Sequence, residues 1–193
     1  GRCFNINSLV SGEPGQFQRS DAAVAELIAL GDAIGVGDGA MRDLAAAAID
    51  WIDSDVSVES GGAEDSYYTA RPEPYRTGAG LFGSVSEIRA LEGVSAELYR
   101  AVAPYLCAFP EASPLVLSAN TLRLRDAPLV AALLGGKTSA EDIAAAISER
   151  PPGGYASAEQ FWSSPSLRGV AGENSRIGLD PVYIEARARL TLG

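Results

Sequence analysis

Histidine is missing from all 193 residues, which removes the commonest general base and the commonest zinc ligand. The sequence has two cysteines, and they are too far apart to form a CxxC motif. No serine lies in a GxSxG or SxxK motif, so a serine nucleophile would lack its usual activating neighbour. We therefore expect that the protein is not an enzyme. The alternative, a hydrolase, would need a cleft that contains an acid with a shifted pKa or an activated serine.

Basic residues are few, since 15 Lys and Arg stand against 25 Asp and Glu and give a net charge of -10. A phosphate backbone would be repelled over most of such a surface, so nucleic acid is disfavoured as a partner. A hydrophobic content of 47% is ample for a buried core. The sequence has no run of about eighteen apolar residues that would predict a membrane-spanning helix. Because it lacks an initiator Met and stops directly after a strand-like run, we expect that both ends are cut or processed.

Apolar residues recur at helical spacing through the middle of the chain. Ser20 and Asp21 are typical of a helix start, and they predict a helix that ends at Gly31. A second helix is predicted over 39–52, because its apolar residues fall on one face. The glycine-rich GVGDGA that joins the two helices lacks phosphate-loop spacing, so we interpret it as a helix-to-helix turn. Further helix starts are predicted at Ser84, Ser95, Ser139 and Ser157.

The helices that start at Ser84 and Ser95 are separated by Gly93, and this order predicts a helical hairpin. A helix-hairpin-helix module that binds nucleic acid through its turn amides is the alternative function. Three glutamates around the turn, against two arginines, favour packing over nucleic-acid binding. These residues are Glu87, Glu92, Glu97, Arg89 and Arg100.

Strand signals lie at the two ends of the chain. Residues 4–10, FNINSLV, alternate apolar and polar side chains, and so do residues 182–191 near the carboxyl end. The simplest architecture is α+β, with a small antiparallel sheet interrupted by a helical insertion of well over a hundred residues.

Residues 50–68, the acidic segment, hold six carboxylates, and no Lys or Arg occurs over 43–70 to balance them. With Asp53 at the first position of a calcium loop, Asp55 falls at the third and Glu64 at the twelfth. Val58 occupies the position that needs Gly, so the segment is not an EF-hand. The ligand types nevertheless favour Ca²⁺ over zinc, and the alternative is a solvated acidic loop.

Several motifs resemble those of the K-type minor pseudopilins of the type II secretion system, the GspK family. They occur in the family's order over nearly the whole chain. The opening GRCFNINSL looks like the first strand of the family's pilin-like sheet. The other motifs are DWIDSD at 50–55, GAEDSYY at 62–68, PYR at 74–76, SVSEIRALEGVSAELYRAVAPYL at 84–106 and the Asn-Thr of LSANTL at 117–122.

The resemblance implies a pilin-like body with a large all-α insertion domain. The first strand of the body would be 1–10, the insertion 11–155 and the remaining strands 156–193. Two departures from the family pattern concern 122–128: Leu122 stands where the family usually has Ala, and LRLRDAP is more basic than expected.

The same resemblance implies a structural role at the tip of the pseudopilus, where the subunit caps the fibre and helps to initiate its assembly for export of folded proteins. Its partners would be the minor pseudopilins I and J, then the pseudopilus shaft, with exported proteins as further candidates. The chain would be the periplasmic domain of a bacterial protein anchored in the inner membrane by a helix outside this sequence.

Calcium is also known in the helical domain of the family. Position by position, the motifs nominate Asp53, Asp55, Glu64 and Asp65 as ligands, with Asp50 and Tyr68 as additional candidates.

Cys3 and Cys107 allow two interpretations. They form a disulfide, or they are two small buried hydrophobic residues. A bridge across so long a loop would restrict the unfolded chain strongly, but it persists only in an oxidising compartment. The periplasmic location that the resemblance implies favours the disulfide.

Overall fold

The fold was analysed in a computed structural model, which describes residues 2–53, 58–168, 176–180 and 190–191. Helices dominate these ranges, and none of the helices in them is both long and apolar enough to cross a membrane. The α-helices are α1 Asp21–Ile34, α2 Asp38–Ile52, α3 Asp65–Thr69, α4 Ala96–Val102, α5 Ala127–Leu133, α6 Ala140–Ser148 and α7 Ala158–Trp162. The 3-10 turns are Ile6–Leu9, Val85–Ala90, Ala103–Tyr105, Leu124–Asp126 and Pro165–Leu167.

Serine caps start four of these helices, as the sequence predicts. The hydroxyl oxygens of Ser20, Ser95, Ser139 and Ser157 each accept a hydrogen bond from the backbone N–H three residues later. At Ser84 the capping box is complete, but the turn that follows is a 3-10 helix and not an α-helix. Each cap satisfies a backbone donor that the helix itself leaves unpaired, so the starts are fixed locally.

The turn between α1 and α2 is confirmed, but the predicted end of α1 at Gly31 is wrong. The helix continues to Ile34 and ends at Gly35, which has a left-handed φ of 77°. Gly31 is buried instead, and a Cβ atom on it would lie 2.3 Å from Cγ of Met41. The glycine therefore allows α1 and α2 to approach closely, and tertiary packing explains its presence inside the helix.

The core lies where α1 packs against α2 and α5, and where α5 packs against α6. Apolar side chains from all four helices are almost fully excluded from solvent. Arg176, in the short described segment near the carboxyl end, donates a hydrogen bond of 3.1 Å to Glu26 of α1. The buried apolar side chains of these four helices include Leu27, Leu30, Met41, Leu44, Ile49, Ile52, Val130 and Ile143.

The predicted strand over 4–10 is wrong in part, because a 3-10 turn divides it. Phe4–Asn5 forms β1 and Val10–Ser11 forms β2, with the turn Ile6–Leu9 between them. Oδ1 of Asn5 accepts a hydrogen bond from the Asn7 N–H, and the Ser8 hydroxyl donates to the Asn5 carbonyl. These local side-chain bonds offer the backbone an alternative to a continuous strand.

Three pairs of two-residue strands are present in the described ranges, and they are not one antiparallel sheet. β1 pairs in parallel with β4 (Leu106–Cys107), and β5 (Leu117–Ser118) pairs in parallel with β6 (Ile177–Gly178). Only β2 and β3 (Gln18–Arg19) are antiparallel among the described strands.

The mixture of helices and strands is confirmed. The pilin-like body and the all-α insertion 11–155 are not confirmed, and the two-residue strands β3, β4 and β5 lie within that range. The predicted strand over 182–191 lies almost entirely outside the described residues. The boundaries proposed for the domains remain predictions.

The amino-terminal segment is held to the helical region by a covalent bond and by buried amides. Cys3 and Cys107 form a disulfide, with Cα atoms 5.7 Å apart. Asn5 and Asn7 are 1% and 0% exposed, and their side chains bond to the backbone near residues 82 and 109. These contacts join the first ten residues to loops that lie some hundred positions away in the sequence.

Candidate functional site

The acidic segment spans the end of α2 and the start of α3. Asp53 is the C-cap of α2, where its N–H donates to the Ile49 carbonyl, and Glu64 is the N-cap of α3. Asp55, which the sequence nominates as a ligand, lies outside the described residues. The carboxylates of the segment therefore come from a helix end, a loop and a helix start.

Asp50 is fully buried on α2 and organises the loop that follows. Both of its carboxylate oxygens accept a hydrogen bond from the Glu59 N–H, at 3.1 and 3.2 Å. A Cβ atom on Gly62 would lie 2.0 Å from Oδ2 of Asp50, and one on Gly61 would lie 2.6 Å from Oδ1 of Asp43. The two glycines are thus required for the loop to close against α2.

Asp65 has protein partners and anchors the chain beyond α3. Its Oδ1 accepts hydrogen bonds from the Thr77 N–H at 2.7 Å and from the Thr77 hydroxyl at 3.0 Å. Its Oδ2 accepts from the Arg76 guanidinium at 2.9 Å. The hydrogen bond from the Thr77 amide, which favours the charged form, holds the pKa of Asp65 below its usual value.

Tyr68 is fully buried and lies in an aromatic cluster. Its ring meets that of Trp51 edge to face, with centroids 5.6 Å apart, and its hydroxyl oxygen accepts a hydrogen bond from the Glu92 N–H at 3.1 Å. Burial raises the pKa of Tyr68 to about 12. The structure thus places Tyr68 as a packing residue that connects α3 to α2 and to the loop at 92.

Glu92 also bears on the helix-hairpin-helix alternative, because it precedes the turn at Gly93. Its amide is engaged by Tyr68, and its carboxylate accepts a hydrogen bond from the Tyr67 hydroxyl. A hairpin that binds phosphate needs its turn amides exposed. One of these amides is used inside the protein, and the structure gives the alternative no support.

Asp53 and Glu64 are two of the nominated carboxylates, and each has an oxygen that lies inside the protein. Oδ1 of Asp53 and Oε1 of Glu64 are shielded from solvent, and Glu64 is 7% exposed overall. Such oxygens are ligands of the kind that Ca²⁺ prefers. The residues that the structure describes contain no group of three acidic or cysteine side chains arranged to hold an ion, and Asp55 lies outside them.

Part of the charge in the acidic segment is balanced by arginines distant in sequence. Arg19 on β3 donates to Glu59 at 2.6 Å, and Arg76 pairs with Asp65. Sequence reasoning missed these partners, since Arg19 lies forty positions away from Glu59 and no motif connects them. The sequence did contain a signal that the loop closes against α2, namely the Gly61–Gly62 pair, because glycine allows a close approach of the backbone.

Comparison with known proteins assigns nearly the whole chain to one family. Two family models match, at residues 2–111 and 117–180, and both carry the description "Type II secretion system (T2SS), protein K". Type II secretion system protein K of Pectobacterium carotovorum subsp. carotovorum is 33% identical over 159 residues, which are 81% of this chain and 48% of that protein. The Aeromonas hydrophila protein of the same name is 32% identical over 201 residues, covering 99% of this chain and 60% of its own length. This chain therefore spans about half the length of these relatives.

A solved structure is similar over most of the fold. It is a chain from the crystal structure of the GspK-GspI-GspJ complex of the enterotoxigenic Escherichia coli type 2 secretion system. The TM-score is 0.73 at 29% sequence identity, and the match covers 93% of this chain and 62% of that one. The family models and this shared fold agree along the chain, and we conclude that it belongs to the type II secretion system protein K family.

Proposed function

We propose that this chain is the periplasmic part of a minor pseudopilin that caps the tip of the pseudopilus and helps to initiate its assembly for export of folded proteins. The observation that carries the proposal is the match of 93% of the chain to a subunit of the GspK-GspI-GspJ complex. We further propose the I and J minor pseudopilins as its neighbours, then the shaft of the pseudopilus, in a protein anchored to the inner membrane.

A capping subunit acts through a fixed shape, and several contacts in this fold hold that shape. The disulfide and the buried Asn5 and Asn7 side chains join the amino-terminal segment to the helical region. The serine caps fix the starts of the core helices α1 and α6. The absence of histidine fits a role that needs no proton transfer.

Association with the I and J pseudopilins tests the proposed function. The full-length protein should restore type II secretion to a strain that lacks its gene. Its periplasmic part should elute with the periplasmic domains of I and J as one complex in size-exclusion chromatography. A deletion strain that secretes normally, together with the absence of any such complex, would contradict the proposal.

We also propose that a calcium ion binds between the end of α2 and the start of α3. The buried carboxylate oxygens of Asp53 and Glu64 support the proposal, and Asp55 is the third ligand that the sequence supplies. Asp50, Asp65 and Tyr68 are engaged by protein groups, and in this proposal they shape the surrounding loop. Bound calcium would offset the repulsion between carboxylates in a segment without basic residues.

Calcium should stabilise the protein, because it binds the folded chain and not the unfolded one. At a hundred times the dissociation constant, the free energy of unfolding should rise by about 2.7 kcal/mol relative to chelator. Thermal unfolding with calcium and with chelator measures the difference. Glu64→Gln should abolish this difference, whereas the exposed Glu73→Gln, a matched control in the same region, should retain it. Equal melting in both conditions would remove the metal and leave the pseudopilin role untouched.

A further inference from the structure

The basic stretch at 122–126 carries a large apolar side chain that is exposed to solvent. Leu122 and Asp126 point inward and are 1% and 7% exposed. Because a 3-10 turn occupies Leu124–Asp126, the side chain of Leu124 projects outward and is 58% exposed. Exposed arginines, Arg123 and Arg125, flank it. A single exposed apolar side chain is common on protein surfaces, so the case for a binding surface depends on the groove and the charges around it.

A shallow, open groove of about 660 Å³ lies between this turn and the carboxyl end of α6. Leu124 is the exposed apolar side chain in its lining, since Leu122 and Ile147 are almost fully buried. The rest of the lining is polar or basic and comes from Thr121, Ser148, Arg123 and Arg150. The Arg150 guanidinium donates to the backbone carbonyls of Asn120 and Leu122. The wall of the groove is therefore fixed by hydrogen bonds.

The outer face of this groove carries positive charge, although the chain as a whole is acidic. Arg2 and Arg125 lie 3.9 and 3.8 Å from Asp126, which is buried and also accepts a hydrogen bond from the Arg123 N–H. The carboxylate of Glu149, beside Arg150 in the sequence, accepts a hydrogen bond from Ser166. Two arginines thus lie close to one buried aspartate and two more, Arg123 and Arg150, line the groove, on a chain of net charge -10.

We propose that this groove binds an acidic segment of another protein, with an apolar side chain beside Leu124 and carboxylates paired with Arg123 and Arg125. Arginine binds carboxylates through two parallel hydrogen bonds, which gives such pairing both strength and direction. A membrane or a nucleic acid extends its negative charge far beyond the groove, where the acidic surface of this chain would repel it. A short acidic segment meets only the basic face, so charge complementarity favours a peptide.

A synthetic peptide tests this surface directly. The probe is a fluorescent peptide of about eight residues that alternates glutamate and leucine, and its binding to the intact chain is measured by fluorescence anisotropy. Saturable binding that weakens with added salt is expected. Arg123→Glu with Arg125→Glu should weaken binding by at least about tenfold, and Leu124→Ser by about threefold.

The matched control is Arg42→Glu with Arg100→Glu, which reverses two exposed, ion-paired arginines outside the groove and should leave the affinity unchanged. Arg123→Gln with Arg125→Gln serves if the charge-reversed variant fails to fold. No saturable binding, or equal weakening by the control pair, would overturn the proposal. Binding to phosphatidylglycerol vesicles that depends on Arg123 and Arg125, without peptide binding, would overturn it in favour of a lipid surface.

Discussion

Removing the Cys3–Cys107 disulfide should lower the free energy of unfolding by about 4.7 kcal/mol. The two residues are separated by 104 positions, so the bridge closes more than half of the chain into one loop. In the chain-entropy model, a loop of this length strongly limits the conformations of the unfolded state, while the native contacts remain available without the bond. The expected decrease in melting temperature is roughly 10 to 15 °C for a chain of this size.

Equilibrium unfolding in urea, with and without reductant, measures this contribution. Cys3→Ser with Cys107→Ser should reproduce the stability of the reduced protein. The same variant is the control, because reductant should not alter its stability further. A reduced protein that unfolds within about 1 kcal/mol of the oxidised one would mean that the amino-terminal segment is held by its noncovalent contacts alone.

For these two cysteines, the sequence alone left two interpretations open. The spacing of Cys3 and Cys107 is compatible with a bridge and with two separate buried thiols. What brings them together is the parallel pairing of β1 with β4, in which Asn5 lies opposite Cys107. Pairing of two-residue strands across a hundred positions leaves no periodic signal, so it is not visible in sequence patterns.

Features with local causes were predicted well. The serine caps and the turn between α1 and α2 depend on residues within four positions of one another, and the structure has them as predicted. The predicted end of α1 was wrong because Gly31 makes room for the side chain of Met41 on the neighbouring helix. Local rules cannot distinguish a glycine that ends a helix from one that admits a partner helix.

The acidic segment shows the same division between local and distant causes. Its excess of carboxylates was evident from the sequence, and so was the need for something to balance them. The partners that the structure supplies, Arg19 for Glu59 and Thr77 for Asp65, come from other elements. Asp50 and Tyr68 were nominated because they stand in motifs that resemble those of the family. In the structure, Asp50 accepts a hydrogen bond from the Glu59 N–H and Tyr68 packs in the aromatic cluster.

Asn7 is the buried side chain whose replacement should have the next largest effect. Its amide nitrogen donates to the Phe82 carbonyl at 3.0 Å and to the Phe109 carbonyl at 2.7 Å, while its oxygen accepts from the Phe82 N–H at 2.8 Å. Asn7→Asp keeps the shape and the acceptor but removes both donors. At neutral pH a carboxylate oxygen would face two carbonyl oxygens in a site that solvent does not reach, at a cost of roughly 3 to 6 kcal/mol.

The penalty for Asn7→Asp should depend on pH in a defined direction. Burial and the two carbonyls favour the neutral form of the introduced carboxyl, so its pKa in the folded state lies above the unfolded value of about 3.9. The folded variant then binds more protons than the unfolded one, and its stability relative to the unmodified chain falls as pH rises above about 4. Urea unfolding of the variant and of the unmodified chain, at about pH 3 and pH 7, measures this penalty. The penalty should be small at about pH 3.

The matched control is Asn120→Asp. The Asn120 side chain also forms hydrogen bonds with both the N–H and the carbonyl of one residue, but it is less buried than Asn7. Among the described residues its amide nitrogen donates to one group, the Tyr155 carbonyl, and its oxygen accepts from the Tyr155 N–H. The Arg150 guanidinium bonds to the Asn120 backbone carbonyl nearby. A carboxylate there loses one donor, gains a neighbouring cation and remains in reach of water, so the cost should be smaller and nearly independent of pH. Equal penalties at the two positions, or a pH-independent penalty at Asn7, would show that the buried amide does not hold the amino-terminal segment through its two donated hydrogen bonds.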